Sequence, residues 1–306
     1  MDRSPENRPV LVAVANPEHA EQLVRTASDL ARLLESYVTI VSVAVKPSSS
    51  PFSVYTDETI IERFAQDTRD LLDAAIAVAP EDVPIEREIV VGRTMADGVL
   101  KAIRRTDARA LVIGWHDSRS RTDAILGTNL DNLIENAPCD LYVERIGYEA
   151  NGVDSILVPV AGGPHVRPAT HAAKAIAARN DATVHLLSIV EPDIDEGAAR
   201  DHLEAGVQLL EDSPGSGASP DFSPDVRVET AVRTGDDVSA TIAELAPDHD
   251  VLVFGVTRQG AIQRRLVGSI PQRVIPRIDE TVILARSGDV VSPSRLDKLR
   301  GLWRRG

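Results

Sequence analysis

One stretch is written twice in this chain, as ALVIGWHDSRSRTDAILGTNLDNLIENAPCDLYV at residues 110–143 and as VLVFGVTRQGAIQRRLVGSIPQRVIPRIDETVIL at residues 251–284. Each copy opens with a short apolar run ending at a glycine, Gly114 or Gly255. A polar, arginine-bearing loop follows, and thirteen residues on comes a second glycine with a hydroxyl residue behind it, Gly127-Thr128 or Gly268-Ser269. The remainder reads as a helix and a further strand. That order suits a phosphate-sized anion held by backbone N–H groups at a helix start. The competing reading makes Gly127 and Gly268 simple turn residues and Thr128 and Ser269 helix N-caps.

What precedes each copy repeats as well. Residues 10–15 (VLVAVA) form a β-branched run without polar alternation, as for a strand covered on both faces. Asn16-Pro17 breaks it, and Leu23, Ala27, Leu30, Ala31 and Leu34 then recur at helical spacing. The pattern predicts strands at 38–45, 85–91, 110–113 and 141–143, with helices at 57–79, 95–105 and 128–136. After a short linker the layout starts again. Strands are expected at 157–161, 184–190 and 226–232, and helices at 169–179, 203–210 (a shortened second helix) and 238–245.

Short apolar strands alternating with amphipathic helices specify an α/β chain with right-handed crossovers. The expected fold is two doubly wound, parallel, five-stranded sheets of Rossmann-like type in tandem. The domains are expected at 8–147 and 153–287, followed by a basic tail at 288–306. A free fifth strand in each half would be an exposed edge, which proteins usually cover, and tandem fusion raises the effective concentration of one half for the other. The tail (RLDKLRGLWRRG) reads as a capping helix, with a partner-docking helix as the functional alternative.

Composition narrows the partners. A net charge of −14 opposes non-specific binding to nucleic acid or to anionic lipid. No run approaches the ~20 apolar residues of a membrane span, so a cytoplasmic protein without stable membrane insertion is expected. Cys139 is the single cysteine, which excludes an intrachain disulfide and a cysteine metal cluster; it reads as a buried thiol. No metal-ligand spacing, G-x-S-x-G elbow or Walker sequence is present. His116 and His165 fall in the candidate ligand loops and read as exposed loop histidines.

The repeated glycine-and-hydroxyl stretch resembles the universal stress protein family, and the resemblance covers about residues 8–287. Many members bind ATP through G-x2-G-x9-G-(S/T) after strand four. The resemblance places the first glycine on Gly114 and Gly255, the last on Gly127 and Gly268, and the hydroxyl on Thr128 and Ser269. The middle glycine is replaced by Asp117 and Arg258. An aspartate usual at the end of strand one is replaced by Ala15 and Ala161. A backbone contact to adenine would fall on Val43 and Ile189.

Asp117 would repel phosphate and Arg258 attract it, and Gly162 and Gly163 add a flexible, donor-rich loop in the second half. The resemblance therefore implies a non-catalytic stress-response regulator that senses or carries ATP or another adenine nucleotide, with the second domain the better site and no metal. The alternative is a nucleotide-independent interaction module acting on a protein partner such as a membrane transporter. The resemblance also implies that the two halves pair within the chain as a pseudo-dimer through their fifth strands, Leu141–Val143 and Val282–Leu284; a further homodimer is compatible with either.

Overall fold

The computed structural model describes residues 8–46, 55–115, 128–148, 150, 152–192, 195–212, 225–256 and 268–290. Its first half runs β1 (Val10–Ala13), α1 (Ala20–Leu33), β2 (Val38–Val45), α2 (Asp57–Phe64), α3 (Gln66–Ala77), β3 (Ile85–Gly92), α4 (Met95–Thr106), β4 (Ala110–Trp115), α5 (Thr128–Asn136) and β5 (Asp140–Arg145). The second half repeats the order as β6 (Ser155–Pro159), α6 (Val166–Asn180), β7 (Thr183–Val190), α7 (Gly197–Glu211), β8 (Arg227–Thr234), α8 (Val238–Leu245), β9 (Val251–Gly255), α9 (Ser269–Val274) and β10 (Thr281–Arg286).

Two elements differ from the sequence pattern. The helix expected at 57–79 is two helices that break at Ala65, whose φ of −103° and ψ of 32° leave the helical region. Neither glycine nor proline marks the break; Ala65 is buried, so packing imposes it. The helix expected at 203–210 begins earlier, at Gly197, because Ala199, Leu203, Gly206 and Leu210 give one buried stripe along the helix. The 213–224 loop and the tail beyond residue 290 lie outside the described residues.

Within each half all pairings are parallel, in the order β3-β2-β1-β4-β5 and β8-β7-β6-β9-β10. The two five-stranded sheets do not stand apart. β5 and β10 pair antiparallel, with Leu284 opposite Val143 at the centre, and make one ten-stranded sheet. The edges left exposed by parallel folding thereby cover each other, as expected for fifth strands.

The junction has approximate two-fold symmetry. Arg145 ends β5 and donates to the Ile278 carbonyl at 2.8 Å; Arg286 ends β10 and donates to the Ala137 carbonyl at 2.6 Å. Both guanidiniums are buried, at 1 % and 5 % exposure, each answering a carbonyl beyond the other half's last helix. Arg145 also lies 3.5 Å over the Tyr148 ring. On one face of the sheet α1 packs against α6 across the junction, where Ala169, Ala172 and Ala173 keep the contact surface small. Gln22 of α1 ties this layer to the sheet by donating to Glu144 and to the Arg145 carbonyl, both at 2.9 Å.

Candidate functional site

In open α/β sheets ligands lie beyond the carboxyl ends of the strands, where strand order reverses. In the second half that point falls between β6 and β9, and a cavity of about 280 Å³ opens there. Its walls come from Val160 after β6, Leu187 and Ile189 of β7, Val238 and Ile242 of α8, and Phe254 of β9. Asp237 fixes α8 against it, accepting from the Ser239 and Ala240 N–H groups at 2.9 and 3.3 Å. No charged side chain is among its described lining residues.

Seven residues singled out in the sequence meet in this cavity: Ala161, Gly162, His165, Ile189, Gly255, Gly268 and Ser269. Gly162 and Gly163 adopt φ of 75° and 88°, the left-handed region that favours glycine. A Cβ on Gly162 would also sit 2.7 Å from His202 Nε2. Gly255 has a different reason for being glycine: its Cβ would approach the His165 carbonyl at 3.1 Å, so the bare backbone lets the loop after β6 close onto β9. Gly268 is the N-cap residue of α9 and Ser269 its first residue. α9 is six residues long and carries Pro271, which supplies no N–H.

Ile189 lends the cavity a polar edge. The Val160 N–H donates to the Leu187 carbonyl at 2.8 Å, and the Gly235 N–H donates to the Val190 carbonyl at 3.0 Å. Alternate residues of a parallel strand face opposite neighbours, so Leu187 and Ile189 both face the β6 side. β6 ends at Pro159, level with Leu187. The Ile189 N–H and C=O therefore point past the end of β6, a donor and an acceptor at an apolar wall.

His165 corrects an expectation. It is buried at 6 % exposure, and its Nδ1 accepts from the Ser287 N–H at 3.1 Å. Burial, with help from the nearby Arg286 charge, lowers its pKa, so the ring is neutral with its proton on Nε2. Its partner lies 122 residues away in sequence, which is why the loop context misleads.

Among the described residues of the first half, the counterparts of these glycine and strand-end positions have different neighbours. A Cβ on Gly114 would meet the Ile146 side chain at 2.8 Å and Leu23 Cδ1 at 3.2 Å, so that glycine accommodates packing. Thr128 opens α5. Val43 lines a separate cavity of about 500 Å³, and Gly114 is not among its described lining residues. Gly127, Arg258, Asp117 and His116 lie outside the described residues. Cys139 is buried and its thiol is pushed up to about 12, the state of an inert core group. Among the described residues no group of three or more His, Cys, Asp or Glu is placed to hold a metal, and no helix is long and apolar enough to cross a membrane.

Comparison with known proteins gives one family. The sequence model of the universal stress protein family matches twice, at residues 6–145 and 152–286. A solved universal stress protein from Archaeoglobus fulgidus DSM 4304 is similar over 90 % of this chain and 97 % of its own, at 13 % identity and a TM-score of 0.57. A Pseudomonas aeruginosa UCBPP-PA14 protein assigned to the universal stress type is similar over 96 % and 97 %, at 16 % identity and a TM-score of 0.56. The cytoplasmic domain of a prokaryotic cation chloride cotransporter is similar over 93 % and 97 %, at 10 % identity and a TM-score of 0.56. At these identities the likeness is one of fold. No curated protein sequence matches the chain.

Proposed function

Because the chain belongs to the universal stress protein family, with two copies of its domain, we propose that it is a non-catalytic regulator whose second half binds an adenine nucleotide. The cavity at the β6/β9 switch point carries the reading: it is apolar-walled, close to the lower end of ligand-pocket sizes, and edged by a backbone donor and acceptor at Ile189. A flat base with its own donor and acceptor edge fits between Ile242, Phe254 and Val160. Gly268 and Ser269 stand at the rim where the phosphates would emerge, and Gly162 gives the opposite rim backbone that can approach closely.

Binding would change the surface that this rim presents to a protein partner. Of the described lining residues, His165 has its Nδ1 engaged by the Ser287 N–H, and in this reading the ligand acts as signal or cargo. The domain division at 8–147 and 153–287 and a cytoplasmic setting belong to this reading. The test is thermal shift and calorimetry with ATP and adenosine on two variants. Gly268→Leu should abolish the response and Gly127→Leu should leave it; the reverse pattern would move the site to the first half.

A second reading, an interaction module that needs no nucleotide, is favoured by the first half, where Ile146 fills the space against Gly114. The fold shared with a cotransporter's cytoplasmic domain makes a membrane transporter the partner class to try first. Absence of any nucleotide response at millimolar concentration would leave this reading in place of the first.

A further inference from the structure

The nucleotide reading uses the carboxyl ends of the second half's strands and leaves a group of side chains at their amino ends without a role. His185 is the third residue of β7, and His249 lies two residues before β9. Their ring centres are 4.8 Å apart and their planes are tilted by 59°. Each ring has its Nδ1 beside an oxygen from a flanking strand. His249 Nδ1 is 2.6 Å from the Ser155 hydroxyl at the start of β6, and His185 Nδ1 is 3.3 Å from the Glu229 carboxylate of β8. Asp250 holds the backbone under that hydroxyl, accepting from the Asp154 and Ser155 N–H groups at 2.8 and 3.0 Å.

A carboxylate beside Nδ1 keeps the imidazole proton there, and the Ser155 oxygen is able to accept from the other ring in the same way. Nε2 is then the lone-pair side of both rings. Burial and then the nearby His185 lower the His249 pKa, against the opposing pull of Asp248 and Asp250, so this ring is neutral at neutral pH. Imidazoles that hold a metal are set in this manner, with the second nitrogen tied to an oxygen that fixes the ring. Two imidazoles bound at ~2.1 Å to one tetrahedral ion have ring centres roughly 5 Å apart, close to the separation found. The strand registers put Pro9, Thr39 and Ala108 at the first-half positions of Ser155, His185 and His249. The duplicated fold therefore forms without the pair.

We propose that His185 and His249 together bind a divalent transition-metal ion of the imidazole-preferring class, with Zn²⁺ as its representative. Water completes the coordination, and Ser155 and Glu229 act as positioning residues for the rings. Two protein ligands and a half-buried setting make the ion exchangeable, unlike that of a closed structural centre.

Calorimetric titration of the full chain with Zn²⁺, in excess Mg²⁺ to occupy surface carboxylates, should show one site per chain. His185→Gln and His249→Gln should each weaken it at least tenfold. Ser155→Ala, which frees a ring without removing a ligand, should weaken it about threefold, and Ser155→Thr should restore it. In the unaltered chain, Zn²⁺ should protect His185 and His249 from carbethoxylation, read by peptide mapping. No saturable site, a site that survives the double histidine variant, equal affinity of the Ser155→Ala and Ser155→Thr chains, or loss of protection at either ring would overturn the proposal.

Discussion

Each half ends its fourth strand on or near a glycine, Gly114 or Gly255, and the two glycines face different neighbours. In the first half the residue after the fifth strand is Ile146, whose side chain lies where a Cβ on Gly114 would be. In the second half the corresponding residue is Ser287, which contributes its N–H to His165 Nδ1, and Gly255 lies under the His165 backbone. The histidine before each first helix follows suit: His19 is half-buried, while His165 is buried and part of the cavity wall. Equal spacing in the two copies therefore preserves the path of the chain and not the chemistry at its turns. What decides the chemistry arrives from the fifth strand, far away in sequence.

The largest expected effect tests what the halves share. Arg145→Ala should cost about 4 kcal/mol of stability and Arg286→Ala about 3, since each removes a buried charged hydrogen bond and the packing of its stem. Arg145 costs more because it also covers Tyr148. Denaturant melts of both variants would settle the order, and equal losses would mean that the aromatic contact adds no more than the further bonds of Arg286 to the Cys139 and Ser287 carbonyls.

His171 sharpens the comparison next, because α1 has Arg25 five residues along its first turns where α6 buries an imidazole. Burial, then the charges of Arg167, Arg109 and Lys174, pushes His171 down to about 4 from an ordinary 6.5. Between those values the unfolded chain binds the proton and the folded chain does not. Stability should therefore rise as pH goes from 4 to 6.5 and fall on acidification, by on the order of 3 kcal/mol over the window. His171→Leu should flatten that part of a pH-stability profile; an unchanged slope would assign the acid sensitivity elsewhere.

Smaller changes compare the sites and the caps directly. Ala161→Asp, which restores a carboxylate at the end of the first strand of the second half, should tighten nucleotide binding about tenfold, or ~1.4 kcal/mol. Ala15→Asp in the first half should do nothing for nucleotide. Thr94 and Asp237 cap equivalent helices, Thr94 with one N–H at 3.1 Å and Asp237 with two plus a pairing to Arg273. Thermal melts should show about 1 kcal/mol lost for Thr94→Ala and somewhat more for Asp237→Ala.

Much of the fold is legible in the sequence for identifiable reasons. β2, α5 and α8 fall at 38–45, 128–136 and 238–245 as read, because an unbroken apolar period is bounded by a cap or a turn residue. The cost of an open edge predicts that some edge pairs, but β3 and β8 remain edges, so the choice of the fifth strand comes from the family resemblance. The break at Ala65 and the early start of α7 are not legible, since buried contacts set both against local propensity. Among the cavity-lining residues, Gly255, Gly268 and Ser269 are named by the repeated glycine spacing and Ile189 by the family resemblance. The walls at Ile242 and Phe254 and the role of His165 depend on contacts between distant segments, which no local pattern encodes.

The most direct measurement is the stoichiometry of adenine nucleotide binding to the intact chain by calorimetry. One site per chain, lost when Ile242→Trp fills the cavity beside β7 and retained when Val43→Trp alters the first half, is the predicted result. Two equivalent sites, or loss through Val43→Trp alone, would contradict the claim that only the second copy keeps the cradle.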